Sequence, residues 1–327
     1  MKKKLTALLL ALALCVSLAA CGSTTTNDDN NSSADAQYVV GICQLVQHSA
    51  LDAATQGFKD TLTEALGDKV KFIEQNASND IPTCGTICSG FVSEGVDLIL
   101  ANATPALQAA VSATQTIPIL GTAVTEYGVA LDIPDFSGTV GGNVSGTSDL
   151  APLEQQAAMV LELVPDAKTA GILYCSAEAN SVYQADEVQK YLEKAGLKVN
   201  VYTFADSNDV ASVTATACDE CDVLYIPTDN TAASCTEAIN NVAQPAGVPI
   251  IAGEEGICKG CGIATLSIDY YELGVTTGKM AVKILTGEAN VSEMPIEYYQ
   301  NPVKKFNADL CEALNITVPE GYEAIAD

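Results

Sequence analysis

The feature that most limits the fold of this chain is a pattern that occurs twice, about 130 residues apart. In its first copy, Tyr38-Val39-Val40-Gly41-Ile42-Cys43 is β-rich and Ala50 to Leu66 is amphipathic at helical spacing. Val70 to Glu74 reads as a strand, Cys84 to Glu94 as a helix and Val96 to Ala101 as a buried strand. Thr104-Pro105 then opens a helix, with proline in its favoured first turn, and Ile117-Pro118-Ile119-Leu120 is the next strand. Such βαβα alternation implies a parallel, doubly wound sheet. The second copy follows in the same order. Gly171-Ile172-Leu173 echoes Gly41-Ile42-Cys43, Ser207-Asn208-Asp209 echoes Ser78-Asn79-Asp80, and Cys221-Asp222-Val223-Leu224 echoes Val96-Asp97-Leu98-Ile99. Thr228 stands where Thr104 stands, and Val248-Pro249-Ile250-Ile251 echoes Ile117-Pro118-Ile119-Leu120, with offsets from 124 to 131.

Two similar α/β lobes joined by a hinge are therefore expected, with a ligand cleft between them. The carboxyl ends of parallel strands, where loops and helix N-termini converge, would line that cleft. The expected division is 38–145 with about 270–298 for one lobe, and 146–269 with about 299–327 for the other. The first crossing is expected near Gly141-Gly142-Asn143-Val144-Ser145-Gly146.

Ahead of the repeat, Met1-Lys2-Lys3-Lys4 precedes an uncharged apolar run, Leu5 to Ala20, and then Cys21. These are the parts of a secretory signal, and sixteen residues fall short of the ~20 a spanning helix needs. Leu18-Ala19-Ala20-Cys21 resembles the lipobox of bacterial lipoproteins, which implies cleavage after residue 20 and a lipid on Cys21. Gly22 to Gln37 is mostly Thr, Asn, Asp and Ser, a composition suited to a flexible linker. Without the signal, 12 cations face 41 acids, a balance that disfavours nucleic acid. The expected location is outside the cytoplasm, anchored to the membrane through Cys21.

The chain has one histidine, His48, no arginine and no tryptophan. No nucleophile elbow surrounds His48 and no phosphate loop is present, so no enzyme activity and no cofactor are expected. A ligand carboxylate would be held by hydroxyls, amides, lysine or helix N-termini in place of an arginine fork.

Several segments, in order, resemble those of a known family: Gln44, His48, Leu51-Asp52-Ala53-Ala54-Thr55-Gln56-Gly57, Ala103-Thr104-Pro105-Ala106, Ala123-Val124-Thr125-Glu126, Gly142-Asn143-Val144-Ser145-Gly146, Glu178-Ala179-Asn180-Ser181, Pro227-Thr228-Asp229-Asn230 and Ile268-Asp269-Tyr270-Tyr271-Glu272-Leu273-Gly274. Together they resemble the ABC-transporter substrate-binding lipoproteins related to tryptophan/tyrosine-binding proteins, from about Val39 to Pro319. The resemblance implies a type I periplasmic-binding-protein fold, a permease and an ATPase as partners, and an aromatic amino acid as ligand. Two stretches depart from the family: Glu126-Tyr127 replaces a common Asp-Pro, and Gly253-Glu254-Glu255-Gly256 lies in a variable region.

The candidate ligand-binding residues sit at strand ends. Thr104 and Pro105 open one helix, and Thr228, Asp229 and Asn230 occupy the equivalent place in the second lobe. Asp229 or Glu126 would pair with a ligand ammonium, and Thr104 or Ser181 would help hold a carboxylate. Thr125, Asn180, Glu254, Gln44, His48, Asp269 and Tyr270 complete the set. Most of these have a competing structural reading as helix caps or core groups.

Ten cysteines lie beyond Cys15 and Cys21, including Cys218-Asp219-Glu220-Cys221 and Cys258-Lys259-Gly260-Cys261. They leave open an exported thiol-redox or metal-binding protein, and a sensory module for a sugar or nucleoside shares the cleft architecture.

Overall fold

The computed structural model describes residues 36–326. Residues 1–35 lie outside the described residues, and with them the expected signal, the lipid site at Cys21 and nearly all of the linker. None of the described helices is long and apolar enough to cross a membrane.

Each half of the repeat builds its own sheet. The first comprises β1 (Tyr38–Gln44), α1 (Ser49–Leu66), β2 (Val70–Asn76), α2 (Ile81–Glu94), β3 (Leu98–Asn102), α3 (Thr104–Ala113), β4 (Ile119–Val124), a short α4 (Tyr127–Ala130) and β5 (Val144–Ser148). Its five strands are all parallel, in the order β2-β1-β3-β4-β5. The second follows α5 (Leu153–Leu163) with β6 (Thr169–Cys175), α6 (Ala179–Lys194), β7 (Lys198–Phe204), α7 (Val210–Glu220) and β8 (Val223–Ile226). It continues through α8 (Asn230–Ser234), α9 (Thr236–Ala246), β9 (Ile250–Ala252), α10 (Glu255–Cys261) and β10 (Ala264–Ser267). Its order, β7-β6-β8-β9-β10, repeats that of the first. Strands buried on both faces read as unbroken apolar runs, which is why Leu98-Ile99-Leu100-Ala101 and Val223-Leu224-Tyr225-Ile226 were legible as strands. Helix α2 begins at Ile81, a turn earlier than its apolar spacing suggested, because Pro82 suits the first turn.

The chain crosses between the sheets three times. The first crossing follows Ser148, because β5 pairs with β4 as far as that residue. It does not lie within Gly141–Gly146, whose glycines form the turn into β5, with Gly141 and Gly142 at φ +81° and +60°. The second crossing is at Ile268–Asp269, and α11 (Tyr270–Leu285) then packs on α1 of the first lobe. Strand β11 (Glu297–Tyr298) adds to the first sheet beside β5. The third crossing leads to β12 (Val303–Phe306), antiparallel to β10, and then to α12 (Ala308–Ala313) and β13 (Glu323–Ala324).

Helices α1 and α11 approach unusually closely. A Cβ on Gly57 would collide with the Tyr271 carbonyl oxygen, and one on Gly274 with the Ala54 carbonyl oxygen. Backbone meets backbone there, so glycine is required for steric reasons.

Candidate functional site

The carboxyl ends of the two sheets face one another across a small cavity. His48, Leu51, Ala123, Thr125, Asp149 and Tyr270 line it from the first lobe and hinge, and Asn180, Thr228, Asp229, Asn230, Ala233 and Glu254 from the second. Its volume is only about 10 Å³, about one water and far below the ~300–1,000 Å³ usual for small-molecule sites, so the lobes must separate to admit a ligand. The lobes touch around it: His48 Nε2 lies 3.2 Å from Asn230 Oδ1, and Asn79 Nδ2 donates to Thr231 Oγ1 at 3.0 Å.

Most polar groups at these strand ends are already used. Asp229 caps α8 through the Ala232 N–H at 2.7 Å, and its other oxygen accepts from the Cys175 N–H at 2.7 Å. Both carboxylate oxygens are thus occupied by backbone donors, which weakens the expectation that Asp229 meets a ligand ammonium. Burial, followed by the nearby Glu178 carboxylate, pushes its pKa up to about 7. Glu254 caps α10, accepting from the N–H groups of Gly256 at 2.6 Å and of Ile257. Burial raises its pKa also, against the lowering effect of His48 and of those donors. Glu178, absent from the sequence candidates, is the buried centre of the second lobe's loop. It accepts from the Asn230 N–H and Nδ2, from the Thr231 N–H and Oγ1, and from Asn180 Nδ2.

What is left unpaired is informative. Seven buried side-chain polar atoms among the described residues lack a hydrogen-bond partner, and three of them, His48 Nδ1, Asp149 Oδ1 and Asn180 Oδ1, belong to residues lining this one cavity. An unpaired buried polar group costs ~1–3 kcal/mol, a cost that a ligand or an ordered water meeting these atoms would offset. Asp149 is fully buried, and the Tyr270 hydroxyl donates to its Oδ2 at 3.0 Å. The Thr125 hydroxyl stands beside the carboxyl, yet Oδ1 takes no hydrogen bond. Burial pushes its pKa up to about 6. Because Asn230 Nδ2 donates to Glu178, Asn230 Oδ1 is the acceptor for His48 Nε2–H. His48 Nδ1 is left without a partner. Acceptors therefore dominate the free groups, and none of the lining residues is a lysine.

Of the fourteen sequence candidates, eight line the cavity: His48, Thr125, Asn180, Thr228, Asp229, Asn230, Glu254 and Tyr270. The other six sit elsewhere. Gln44 belongs to a buried network beneath the cleft, donating to Asp52 and accepting from Thr55. Glu126 caps α4, and Asp269 is exposed at the start of α11, where it accepts from the Glu272 N–H. Pro105 lines a groove between α2 and α3. Ser181 is buried beside Asp229. Thr104 is also buried with an unpaired hydroxyl, following Ala103, whose φ is +91°. The lining residues that sequence reasoning missed are Leu51, Ala123, Asp149 and Ala233. Asp149 carried one usable signal: it is the charge that ends the small-residue strand Val144–Ser148. Ala123, at φ +51° on the cavity wall, is one of the strained backbone positions that gather at functional sites.

Comparison with known proteins places this geometry among relatives. The family model described as "ABC transporter substrate binding protein" matches residues 39–327. The tyrosine-binding protein of Clostridioides difficile is 37% identical over 322 residues, covering 96% of this chain and 93% of that protein. A crystal structure of an ABC domain from Streptococcus pneumonia in complex with L-Trp is 33% identical with a TM-score of 0.84, covering 89% of this chain and all of that one. The ligand-free, open structure of a substrate-binding protein with adhesive properties from Clostridium difficile is 38% identical with a TM-score of 0.67, covering 88% of this chain and 99% of that one. The two parallel-sheet lobes are those of the periplasmic-binding-protein fold.

Proposed function

We propose, because the chain belongs to the ABC transporter substrate-binding protein family, that it holds a single amino acid between its lobes, with L-tyrosine and L-tryptophan favoured, and delivers it to a membrane permease driven by an ATPase. The observation that carries the reading is the unpaired Asp149 Oδ1 in the cavity between the lobes. A buried carboxylate oxygen with no donor calls for a cation, and an α-ammonium is the small cation the relatives' ligands possess. Asn180 Oδ1 offers a further acceptor for its remaining protons. A neutral sugar or nucleoside would leave this carboxylate uncompensated. The lobes' closeness supports the same reading: the more identical of the two crystal structures, which is open, matches this chain less well than the ligand-bound one. In this proposal the lobes are 38–148 with 270–298 and 149–269 with 299–327. The extracytoplasmic domain is tethered by a lipid on Cys21.

One experiment tests both halves. The chain is expressed in a bacterium, fractionated, and its thermal unfolding measured against amino acids, sugars and nucleosides. L-Tyrosine or L-tryptophan should raise Tm, since a ligand at a thousandfold excess over Kd adds ~4 kcal/mol to the native state. A Cys21→Ser variant should leave the membrane fraction. A response to sugars or nucleosides alone would overturn the ligand, and membrane retention of the variant would overturn the tether.

The buried acids give a pH dependence whose sign is opposite to that of ordinary surface carboxylates. The folded-state pKa of Asp149 is raised from 3.8 to about 6, and that of Asp229 from 3.8 to about 7. A raised pKa contributes stability that is complete below the unfolded value and lost as pH rises through the folded one. The ligand-free protein should therefore lose stability between pH 4 and pH 7, by on the order of a few kcal/mol. Ligand affinity should rise over the upper part of the same window as Asp149 ionises. Titration of Tm with and without L-tyrosine from pH 4 to pH 8 checks this; a ligand-free Tm that climbs through that range contradicts it.

A further inference from the structure

Tyr127 is among the largest side chains that the protein buries almost completely, yet it is not one of the residues lining the cavity. It opens α4, and its hydroxyl reaches back between β4 and β5, where it donates to the Thr147 carbonyl oxygen at 3.1 Å. A Cβ on Gly121 or on Gly146, which pair with each other in the ladder, would collide with that hydroxyl oxygen. Gly146 is barred by the Gly121 backbone as well. Two facing glycines thus open the gap that the hydroxyl fills.

The hydroxyl sits where the ladder breaks. Gly121 pairs with Gly146 and Val124 with Ser148, so β4 has one residue more than β5 over this span, which is a β-bulge. Ala123, at φ +51° on the cavity wall, lies within it. Just beyond, Asp149 N–H donates to Val124 O at 3.2 Å, and Ser148 Oγ to Thr125 O at 2.7 Å. Thr147 is also held through its side chain, whose Oγ1 lies 2.8 Å from Thr277 Oγ1 on α11 and 3.3 Å from Thr122 Oγ1.

We propose that Tyr127 is a positioning residue for the ligand site: its hydroxyl fixes the β4–β5 bulge, and with it the place from which Asp149 presents its unpaired oxygen. The proposal rests on the reading of Asp149 as the partner of a ligand ammonium. The physical link is short, since only Ser148 separates Thr147 from Asp149. Removing the hydroxyl takes a donor from a buried carbonyl and leaves a gap between two glycines into which the bulge relaxes. Binding groups serve only when held within ~0.5 Å of their productive geometry, so a small shift here is felt as lost affinity. A tyrosine that served the core alone would change stability and leave the behaviour of Asp149 untouched.

Tyr127→Phe removes the hydroxyl and keeps the ring. In the ligand-free chain, amide hydrogen exchange followed by NMR should quicken at Asp149 by about 3- to 10-fold relative to second-sheet amides such as Leu224, the net effect of one neutral hydrogen bond. Kd for L-tyrosine or L-tryptophan should rise by a similar factor in the wild-type background. In an Asp149→Asn background the rise should stay below about 2-fold, because the hydroxyl acts through Asp149. Gly121→Ala keeps the hydroxyl but displaces it from the β4 side, and it should move both readouts in the same direction. The outcome therefore does not depend on the folding of one variant. Unchanged exchange at Asp149 in both variants, or effects of Tyr127→Phe and Asp149→Asn on Kd that simply multiply, would overturn the proposal. Wild-type protein that binds no amino acid would overturn the ligand reading instead, and the exchange rates would still decide whether Tyr127 fixes the bulge.

Discussion

Asp149→Asn should weaken binding of L-tyrosine or L-tryptophan by about 10- to 150-fold while making the ligand-free protein more stable at pH 8. The loss corresponds to one charge-assisted hydrogen bond, ~1.5–3 kcal/mol. The Tyr270 hydroxyl donates to one oxygen of this side chain, so the amide would turn its oxygen to Tyr270 and its NH₂ to the position of Oδ1. A donor would then face the ligand ammonium. The gain in stability follows from the pKa of about 6, which measures how much burial disfavours the charged form, on the order of 2–3 kcal/mol above neutral pH. Opposite signs for affinity and stability distinguish this variant from a misfolded one. Calorimetric titration and urea unfolding at pH 8 measure both. An unchanged Kd would remove Asp149 from the site, and a lost Kd with lost stability would make it structural.

Gly274→Ala should destabilise the protein by about 2 kcal/mol or more, and Gly90→Ala should stabilise it slightly. Alanine in a helix interior is favoured over glycine by ~1 kcal/mol, so a helical glycine with open space around its Cβ position gains from the change. Gly90 on α2 is such a position, with nothing within 4 Å of the added Cβ. At Gly274 the added Cβ falls well inside 3.0 Å of the Ala54 carbonyl oxygen, which is backbone and cannot rotate away. Overpacking costs ~1–3 kcal/mol where side chains can adjust, and more where two helices must separate. The clash therefore outweighs the propensity gain. Urea midpoints of the two variants should move in opposite directions; equal shifts would mean that the α1–α11 contact is looser than described.

How far the sequence could be read depended on whether a property is local. The strands Leu98–Asn102 and Val223–Ile226, and the helices between them, declare themselves through hydrophobic period and turn residues within a few positions. The repeat at offsets of 124 to 131 then determined two lobes and the faces on which their loops gather. By the same logic, the sequence identified the strand ends that carry His48, Thr125, Asn180 and Asp229.

Which of those polar groups remains free to bind was decided only by the tertiary structure. A carboxylate's partners are set by neighbours distant in the chain: Asp229 is occupied by the N–H of Cys175, 54 residues away, and Asp149 is held by Tyr270, 121 residues away. Glu126 was a candidate because it follows β4, yet it serves its own helix by capping Val129. No local pattern distinguishes a spent acceptor from an unspent one. The sequence by itself determined the architecture and the face on which the strand-end loops gather. The packing of the lobes determined that Asp149, His48 and Asn180 keep unpaired atoms there, because burial and hydrogen-bond pairing are properties of the folded neighbourhood.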